Sequence, residues 1–214
     1  LPIPDDISAR INDLVEDAIC LAKEESADSE ITYDFLQPPA SVAIVDERRA
    51  RLRGLEEQID KEVTRLYGLT EEDRIALKAE LEGTVSAPND DNEEENAEET
   101  ENEDAAVSAW SEATLARAWI SYAIGAVLGR YGIGEPNGIG RGNLSEEIAA
   151  DIHALMDADG VMVSEKRHPQ DITTRTLRCL ELMRGQDTAQ ALIREAVGSN
   201  GDPEEPLREF LDRF

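Results

Sequence analysis

The segment ISYAIGAVLGRYGIG, residues 120–134, is the most apolar stretch of a chain that is otherwise rich in acid. Together with Trp119 it leaves almost no polar face, so the pattern predicts a helix over residues 111–131 that is buried on most sides. The uncharged run between Arg117 and Arg130 is only 12 residues long, whereas a membrane span needs about 20. We therefore expect a buried helix and no membrane insertion.

The composition favours a helical fold and argues against simple nucleic-acid binding. Of 214 residues, 40% are hydrophobic but only 4% are aromatic, so the core must consist mainly of Leu, Ile, Val and Ala, a set that favours helices. The net charge is −27, and such a surface repels phosphate. Any contact with DNA would need a local basic patch or a basic partner domain.

Apolar residues recur at helical spacing in the first part of the chain, residues 1–85, which is predicted to form one helical lobe. The predicted helices cover residues 5–25, 46–67 and 70–81. Between the first two, residues 30–42 contain Pro38-Pro39 and are predicted to be an extended connector. Gly68 is expected to end the second helix, and Thr70 to cap the third.

A polar, acidic run separates this lobe from the rest of the chain. Residues 86–104 hold ten acidic residues and no basic one, so residues 86–108 are predicted to be a disordered linker. Residues 109–214 then form a second helical lobe. Four shorter helices are expected in this lobe. The first starts near Ser145, the second ends at Gly185, the third ends at Gly198, and the fourth follows an N-cap at Asp202. The fold class is therefore all-α, with at most one short extended piece at residues 161–163.

No motif in the sequence predicts catalysis, a cofactor site or a metal site in this chain. The glycine-rich run after residue 128 lacks the Gly-Lys-Ser/Thr of a phosphate loop and follows a helix rather than a strand. The segment from Asp157 has its glycine at the fourth position instead of the sixth that a calcium loop requires. His153 and His168 have no partners at metal-ligand spacing.

One basic cluster could contact phosphate, and it consists of Lys166, Arg167, Arg175 and Arg178. Basic side chains near a helix N-terminus suit an anion, which favours a contact with a nucleic-acid backbone. The alternative is an ordinary solvated face whose charge is balanced by Glu165 and Asp171. Both readings remain open at this stage.

The two cysteines, Cys20 and Cys179, lie far apart within apolar helical patterns. A disulfide scaffold would need more cysteines at closer spacing. We therefore expect two buried thiols in a reducing compartment. The first residues do not form a signal peptide, and a cytoplasmic protein is the expectation.

Four stretches in the same order resemble the C-terminal region of large adenine-specific DNA methyltransferases of phage-defence systems. These stretches are ITYDFLQPP, LRGLEEQIDKEVTRLYGLTEEDR, WISYAIGAVLGRYGIG and LREFLDRF. The resemblance is to the BREX-type enzyme and to type IIG restriction-modification proteins. The residues that carry it are Tyr33, Asp34, Phe35, Tyr67, Gly68, Leu69, Gly125, Gly129, Arg130 and Tyr131.

The resemblance implies a helical tail beside the catalytic and target-recognition parts of a larger enzyme. That enzyme uses S-adenosylmethionine and acts on DNA, and it can work with other defence-system proteins. This chain lacks the methyl-donor loop and the Asn-Pro-Pro-Tyr/Phe catalytic motif, and Gln37-Pro38-Pro39-Ala40 is a poor imitation of the latter. It is therefore expected to be a fragment or split subunit, inactive without an N-terminal methyltransferase domain.

A second hypothesis belongs to a different class of function. The chain would be a free-standing acidic adaptor that binds a basic partner protein through the linker or the apolar helix. Arg130 is expected to have a structural role, because a guanidinium at a helix C-terminus can contact the last carbonyl groups or reach a carboxylate. The alternative is a contact with DNA, which the acidic surface nearby disfavours.

Overall fold

A computed structural model describes residues 9–85, 110–157, 163–198 and 203–212. Over these ranges the chain forms helices and no β-strand, which confirms the all-α prediction. The helices are α1 (Ala9–Ala27), α2 (Val42–Tyr67), α3 (Glu71–Val85), α4 (Glu112–Val127), α5 (Glu146–His153), α6 (Ile172–Arg184), α7 (Gln186–Val197) and α8 (Glu204–Leu211). None of the described helices is long and apolar enough to cross a membrane.

The chain divides into two compact units, each made from two separate pieces of sequence. The first unit comprises Leu1–Leu21 and Arg49–Ala109, and the second comprises Ala22–Arg48 and Trp110–Phe214. The second unit therefore includes residues that the sequence analysis grouped with the first lobe. The predicted linker at residues 86–108 lies outside the described residues.

In the first unit, a few apolar residues of α1 and α2 are buried, and most of the others are partly exposed. Ile11, Leu21 and Leu55 are buried, and Arg10 of α1 lies 3.3 Å from the carboxylate of Glu62 on α2. The predicted start of the first helix, at residues 5–6, lies outside the described residues.

The predicted ends of these helices are mostly confirmed. Gly68 follows α2 with a φ of +64°, a left-handed conformation that suits glycine at a helix C-terminus. Thr70 caps α3, because its hydroxyl accepts from the amide of Asp73 at 3.2 Å while the Asp73 carboxylate accepts from the amide of Thr70 at 2.8 Å. This reciprocal pair is a capping box. The described helix continues to Val85, beyond the predicted end.

The prediction that both cysteines are buried is wrong for Cys20. Cys179 is buried in α6, whereas Cys20 is exposed on α1. Leu21 belongs to the buried face of α1, whereas its neighbour Ile19 is about half exposed. Cys20 therefore lies outside the buried face. Burial raises the pKa of the Cys179 thiol to about 12, which keeps that thiol protonated and unreactive at neutral pH.

The second unit is organised around α4, which packs against α5, α6 and α7. Nearly all of its larger side chains are buried, which confirms the buried-helix prediction. The helix ends at Val127 rather than residue 131. The amides of Gly129 and Arg130 turn back to the carbonyl groups of Ala126 and Gly125, at 3.1 and 2.8 Å. This Schellman motif, with Gly129 at a φ of +69°, stops the helix.

Other boundaries of the second unit differ from the predictions by a few residues. The predicted extended connector is folded into turns at residues 30–34 and is free of regular structure only from 35 to 41, because α2 already begins at Val42. Ser145 caps α5, Gly185 follows α6 and Gly198 follows α7, as predicted. The cap of α8 is Pro203 instead of Asp202, which lies outside the described residues.

A short bridge joins Val163 to the start of α6, and a buried ion pair joins the start of α6 to α8. Val163 forms an isolated parallel bridge with Asp171, while residues 161–162 of the predicted extended piece lie outside the described residues. The Asp171 carboxylate is fully buried and accepts two hydrogen bonds from Arg208, at 2.7 and 2.8 Å. It also caps α6 by accepting from the amide of Thr174 at 3.0 Å. This two-point contact holds α8 to α6.

Removing the arginine of this pair is expected to be costly. In Arg208→Ala the Asp171 carboxylate stays buried without its partner, so we expect the free energy of unfolding to fall by about 3–5 kcal/mol. Urea unfolding at pH 7 measures the change. Arg194→Ala is the matched control, because Arg194 is exposed on α7 and, among the described residues, its side chain contacts Gln190 alone, at 3.2 Å; its effect should stay below about 0.5 kcal/mol. Equal effects would contradict a stabilising pair.

The same pair predicts a dependence of stability on acid. Burial raises the pKa of Asp171, but hydrogen bonds from Arg208 and Thr174 outweigh burial and lower it from 3.8 to about 2. As the pH falls, the Asp171 carboxylate is therefore protonated at a higher pH in the unfolded chain than in the folded chain. About 2 kcal/mol of stability that is present above pH 4 is lost as the pH falls toward 2.

Comparison with Asp171→Asn isolates this contribution from those of the other acidic residues. The difference in unfolding free energy between the wild type and this variant should shrink by about 2 kcal/mol between pH 5 and pH 2. Chemical denaturation at a series of pH values measures it. A difference that stays constant over this window would mean that Asp171 has an ordinary pKa.

Candidate functional site

The ring of Tyr131 is packed between two glycines that are far apart in sequence. A Cβ atom added to Gly125 would lie 2.3 Å from the ring, and one added to Gly140 would lie 2.2 Å from it. Both distances are far below van der Waals contact. Each glycine is therefore required by the position of the ring, and Gly140 also has a φ of +65°.

Glu30 gathers three polar groups beside this ring, and we call Glu30, Ser121, Arg130 and Tyr131 the Glu30 cluster. One carboxylate oxygen accepts from Arg130 at 2.6 Å and from the Tyr131 hydroxyl, and the other accepts from Ser121 at 2.9 Å. Burial, followed by the Glu30 carboxylate, raises the pKa of Tyr131 well above its usual value. The phenol is therefore a hydrogen-bond donor at neutral pH and not a base.

Arg130 has the carboxylate partner that its position suggested. Its guanidinium also lies 5.4 Å from the centre of the Tyr131 ring, which is within range of a cation–π contact. No hydrogen bond joins its side chain to the last carbonyl groups of α4 within the described residues. Because the side chain is still 62% exposed, the charge is accessible to a further partner.

The connector that contains Tyr33, Asp34 and Phe35 is fixed against α4 and the glycine-rich loop. Phe35 is buried, with its ring centre 5.6 Å from that of Tyr122 and 5.7 Å from that of Tyr131. Its carbonyl accepts from the amide of Gly140 at 2.7 Å. Asp34 accepts from Ser26 at 2.6 Å, which lowers its pKa, whereas Tyr33 is 86% exposed.

The Gln37-Pro38-Pro39-Ala40 stretch takes part in the packing of the second unit. The Gln37 side chain accepts from the amide of Asn143 at 3.0 Å, and the carbonyl of Pro39 accepts from the Trp119 indole at 2.9 Å. Arg184 lies over the Trp119 ring, with its guanidinium carbon 4.5 Å from the ring centre, and donates to the Ala40 carbonyl at 2.7 Å. The side-chain oxygen of Gln37 and the carbonyl groups of Pro39 and Ala40 thus hold this stretch against α4, α6 and the glycine-rich loop.

The second of the four stretches contains Tyr67, Gly68 and Leu69, which lie in the first unit. Tyr67 ends α2, Gly68 takes the left-handed conformation, and the amide of Leu69 donates to the carbonyl of Thr64 at 3.0 Å. These residues form a helix end. The structure therefore brings together residues of the first and third stretches, Phe35 with Gly125, Arg130 and Tyr131, within the second unit.

The candidate phosphate contacts are mostly paired with acidic residues of the same chain. Lys166 contacts Glu205, and Arg175 lies 3.4 Å from Asp157. Arg178 lies 3.3 Å from Glu181. Arg167 is exposed, adopts a φ of +74°, and makes no ion pair within the described ranges. Phosphate binding by this cluster stays a prediction, and only Arg167 offers it an uncommitted charge.

A large apolar groove, of about 820 Å³, lies along α4 in the second unit. Its opposite wall is formed by Ser164, Ile172 and the end of α8, from Phe210 to Asp212. Arg117 and Arg130 lie at its rim, and Arg130 connects it to the Glu30 cluster. The volume is within the range of about 300–1,000 Å³ that is typical of ligand pockets. We call this feature the α4 groove.

The chain matches no protein-family model, no curated protein and no solved structure. Among the described residues, no three His, Cys, Asp or Glu side chains are grouped as they would be to hold a metal ion. Accessible features of the described residues include the α4 groove with its rim arginines, the exposed Tyr33 and the exposed Arg167.

The packing of Tyr131 predicts that a methyl group cannot be added at Gly125. Gly125→Ala places its Cβ against the ring, so we expect a loss of about 1–3 kcal/mol in the free energy of unfolding, despite the better helix propensity of alanine. Gly54→Ala is the matched control, because Gly54 is also inside a helix but has no atom within 4 Å of an added Cβ. It should be neutral or stabilising by up to about 1 kcal/mol.

Urea unfolding, followed by circular dichroism and by the fluorescence of the tryptophans, measures both variants. If Gly125→Ala is as stable as Gly54→Ala, the ring is not fixed between the two glycines. The double variant Gly125→Ala/Tyr131→Leu provides a further check, because its loss should be clearly smaller than the sum of the two single losses.

Proposed function

We propose that this chain is a non-catalytic helical region of an adenine-specific DNA methyltransferase from a phage-defence or restriction-modification system. In this proposal, methyl transfer from S-adenosylmethionine is carried out by a catalytic domain outside the chain. The chain itself supports partner assembly or DNA recognition by the whole enzyme.

One observation carries the proposal. Phe35 and Tyr131 are separated by nearly a hundred residues, and each belongs to a different stretch that resembles this enzyme family; their ring centres lie 5.7 Å apart. Gly125 and Arg130, from the same motif as Tyr131, take part in the same packing. Residues that carry a family resemblance are expected to meet in space when they maintain one structural unit, and these four do.

The chemistry of the described residues agrees with a non-catalytic role. Tyr131 and Cys179 have raised pKa values and remain protonated. The Gln37 side chain is used in the fold.

The net charge of −27 favours a second candidate function, an acidic adaptor for a basic protein, because long-range attraction would bring such a partner to the surface.

Two experiments test the proposal. Sequencing the coding DNA upstream of the Leu1 codon should reveal an open frame that encodes Asn-Pro-Pro-Tyr or Asn-Pro-Pro-Phe. The purified chain should transfer no methyl group from labelled S-adenosylmethionine to DNA, whereas the protein encoded by the whole frame should form N6-methyladenine. A start codon directly before Leu1, with no methyltransferase encoded beside it, would refute the proposal and leave the adaptor as the better explanation.

A further inference from the structure

From the shape and charge of the α4 groove we infer that it binds an amphipathic helix of a partner protein, with acidic residues beside its apolar face. The inference goes beyond the proposed function, because it concerns a surface that the methyltransferase resemblance does not describe. It also does not depend on whether a catalytic domain precedes this chain.

The residues of α4 that line the groove have the spacing of a helix–helix contact. They include Thr114, Ala118, Ser121, Gly125 and Leu128, which are separated by four, three, four and three residues. This alternation is the heptad spacing of packed helices. Over these positions the seam is about 21 Å long, at about 1.5 Å per residue, so it matches a partner helix of about four turns.

Ala118, in the middle of this seam, leaves room for close approach of a second backbone. Ala118 carries no side chain beyond Cβ, and the groove beside it measures about 820 Å³. At the next two positions the Ser121 hydroxyl is bonded to Glu30, and the Tyr131 ring fills the space beside Gly125. On the other wall, Ile172, Phe210 and Leu211 provide apolar surface. A helix placed there would bury its apolar residues at spacings of three and four, as in other helix-in-groove complexes.

The charges at the rim select the type of helix. Arg117 lines the groove and makes no ion pair with any residue in the described parts of the chain. Arg130 lines it as well, and although it contacts Glu30, its side chain is 62% exposed. The acid on the groove wall, Asp212, already accepts a hydrogen bond from Ser164 at 2.7 Å. The rim therefore favours carboxylates on the partner.

The net charge of −27 does not decide this contact. At physiological salt, interactions between exposed charges are largely screened beyond about 8 Å, so the docked helix interacts mainly with the two arginines. The overall charge instead slows the approach of an acidic partner. It also disfavours a second copy of this chain as the occupant, because two such surfaces repel each other.

Two synthetic peptides of 18 residues test the inference at 150 mM salt. Both carry the same leucines at spacings of three and four, and they differ only in having Glu or Lys beside the apolar face. Fluorescence anisotropy of the labelled peptides should show saturable binding of the Glu peptide, about tenfold or more tighter than that of the Lys peptide. Amide resonances of Ser121 and Gly125 should shift on binding.

Variants of the chain locate the contact. Arg117→Glu should weaken binding of the Glu peptide by about three- to tenfold, while Arg51→Glu, an exposed arginine of α2 in the first unit, should change it by less than about twofold. Ala118→Phe, which fills the seam, should abolish binding of both peptides. Thermal melts confirm that each variant is folded. If Ala118→Phe does not fold, Arg117→Glu still tests the contact.

Several results would overturn the inference. These are the absence of binding by either peptide, equal binding of the two, or an unchanged affinity in Arg117→Glu. Tighter binding of the Lys peptide would also overturn it, and would support the adaptor with a basic partner. None of these results bears on methyl transfer by the enzyme encoded by the whole frame, so the proposed function is tested separately.

Discussion

The second unit depends on one steric constraint, the position of the Tyr131 ring between Gly125 and Gly140. The ring can occupy this place only because neither neighbour has a side chain, and its hydroxyl is then aimed at Glu30. Phe35 packs on the same ring, and its carbonyl bonds to Gly140. The helix, the loop and the connector are thus positioned by contacts with a single side chain.

Much of the fold could be predicted from local patterns. The apolar spacing of α1, α2 and α4 predicts these helices. The glycines at positions 68, 185 and 198 predict the ends of α2, α6 and α7. Both signals are local, because helix periodicity and capping act over a few residues. The predicted helix over residues 111–131 runs past the true end of α4 at Val127, because the apolar pattern includes Gly129. Its left-handed conformation, fixed by the hydrogen bonds that turn back to the last carbonyl groups, was not visible in the apolar pattern.

The contacts that organise the candidate site were not predictable from spacing. Glu30 is one acid among 48, and nothing local marks it as the partner of Arg130, a hundred residues away. Nor does any local pattern pair Asp171 with Arg208, which form a buried ion pair between α6 and α8. The α4 groove is a gap between distant elements, and only the apolar character of α4 hinted at it. Long-range partners require the fold, because sequence distance carries no information about them.

The division of the second unit into two pieces of chain has a consequence for how the protein is made. Glu30 is synthesised 101 residues before Tyr131, so at about 5–20 residues per second the earlier piece waits roughly 5–20 s for its partner to leave the ribosome. During that interval Phe35 has no core to enter. Closing this long loop adds little to the equilibrium cost, since each doubling of loop length costs only about 0.6 kcal/mol. The sequence between the two pieces can therefore change length over generations with little effect on the stability of the unit that it interrupts.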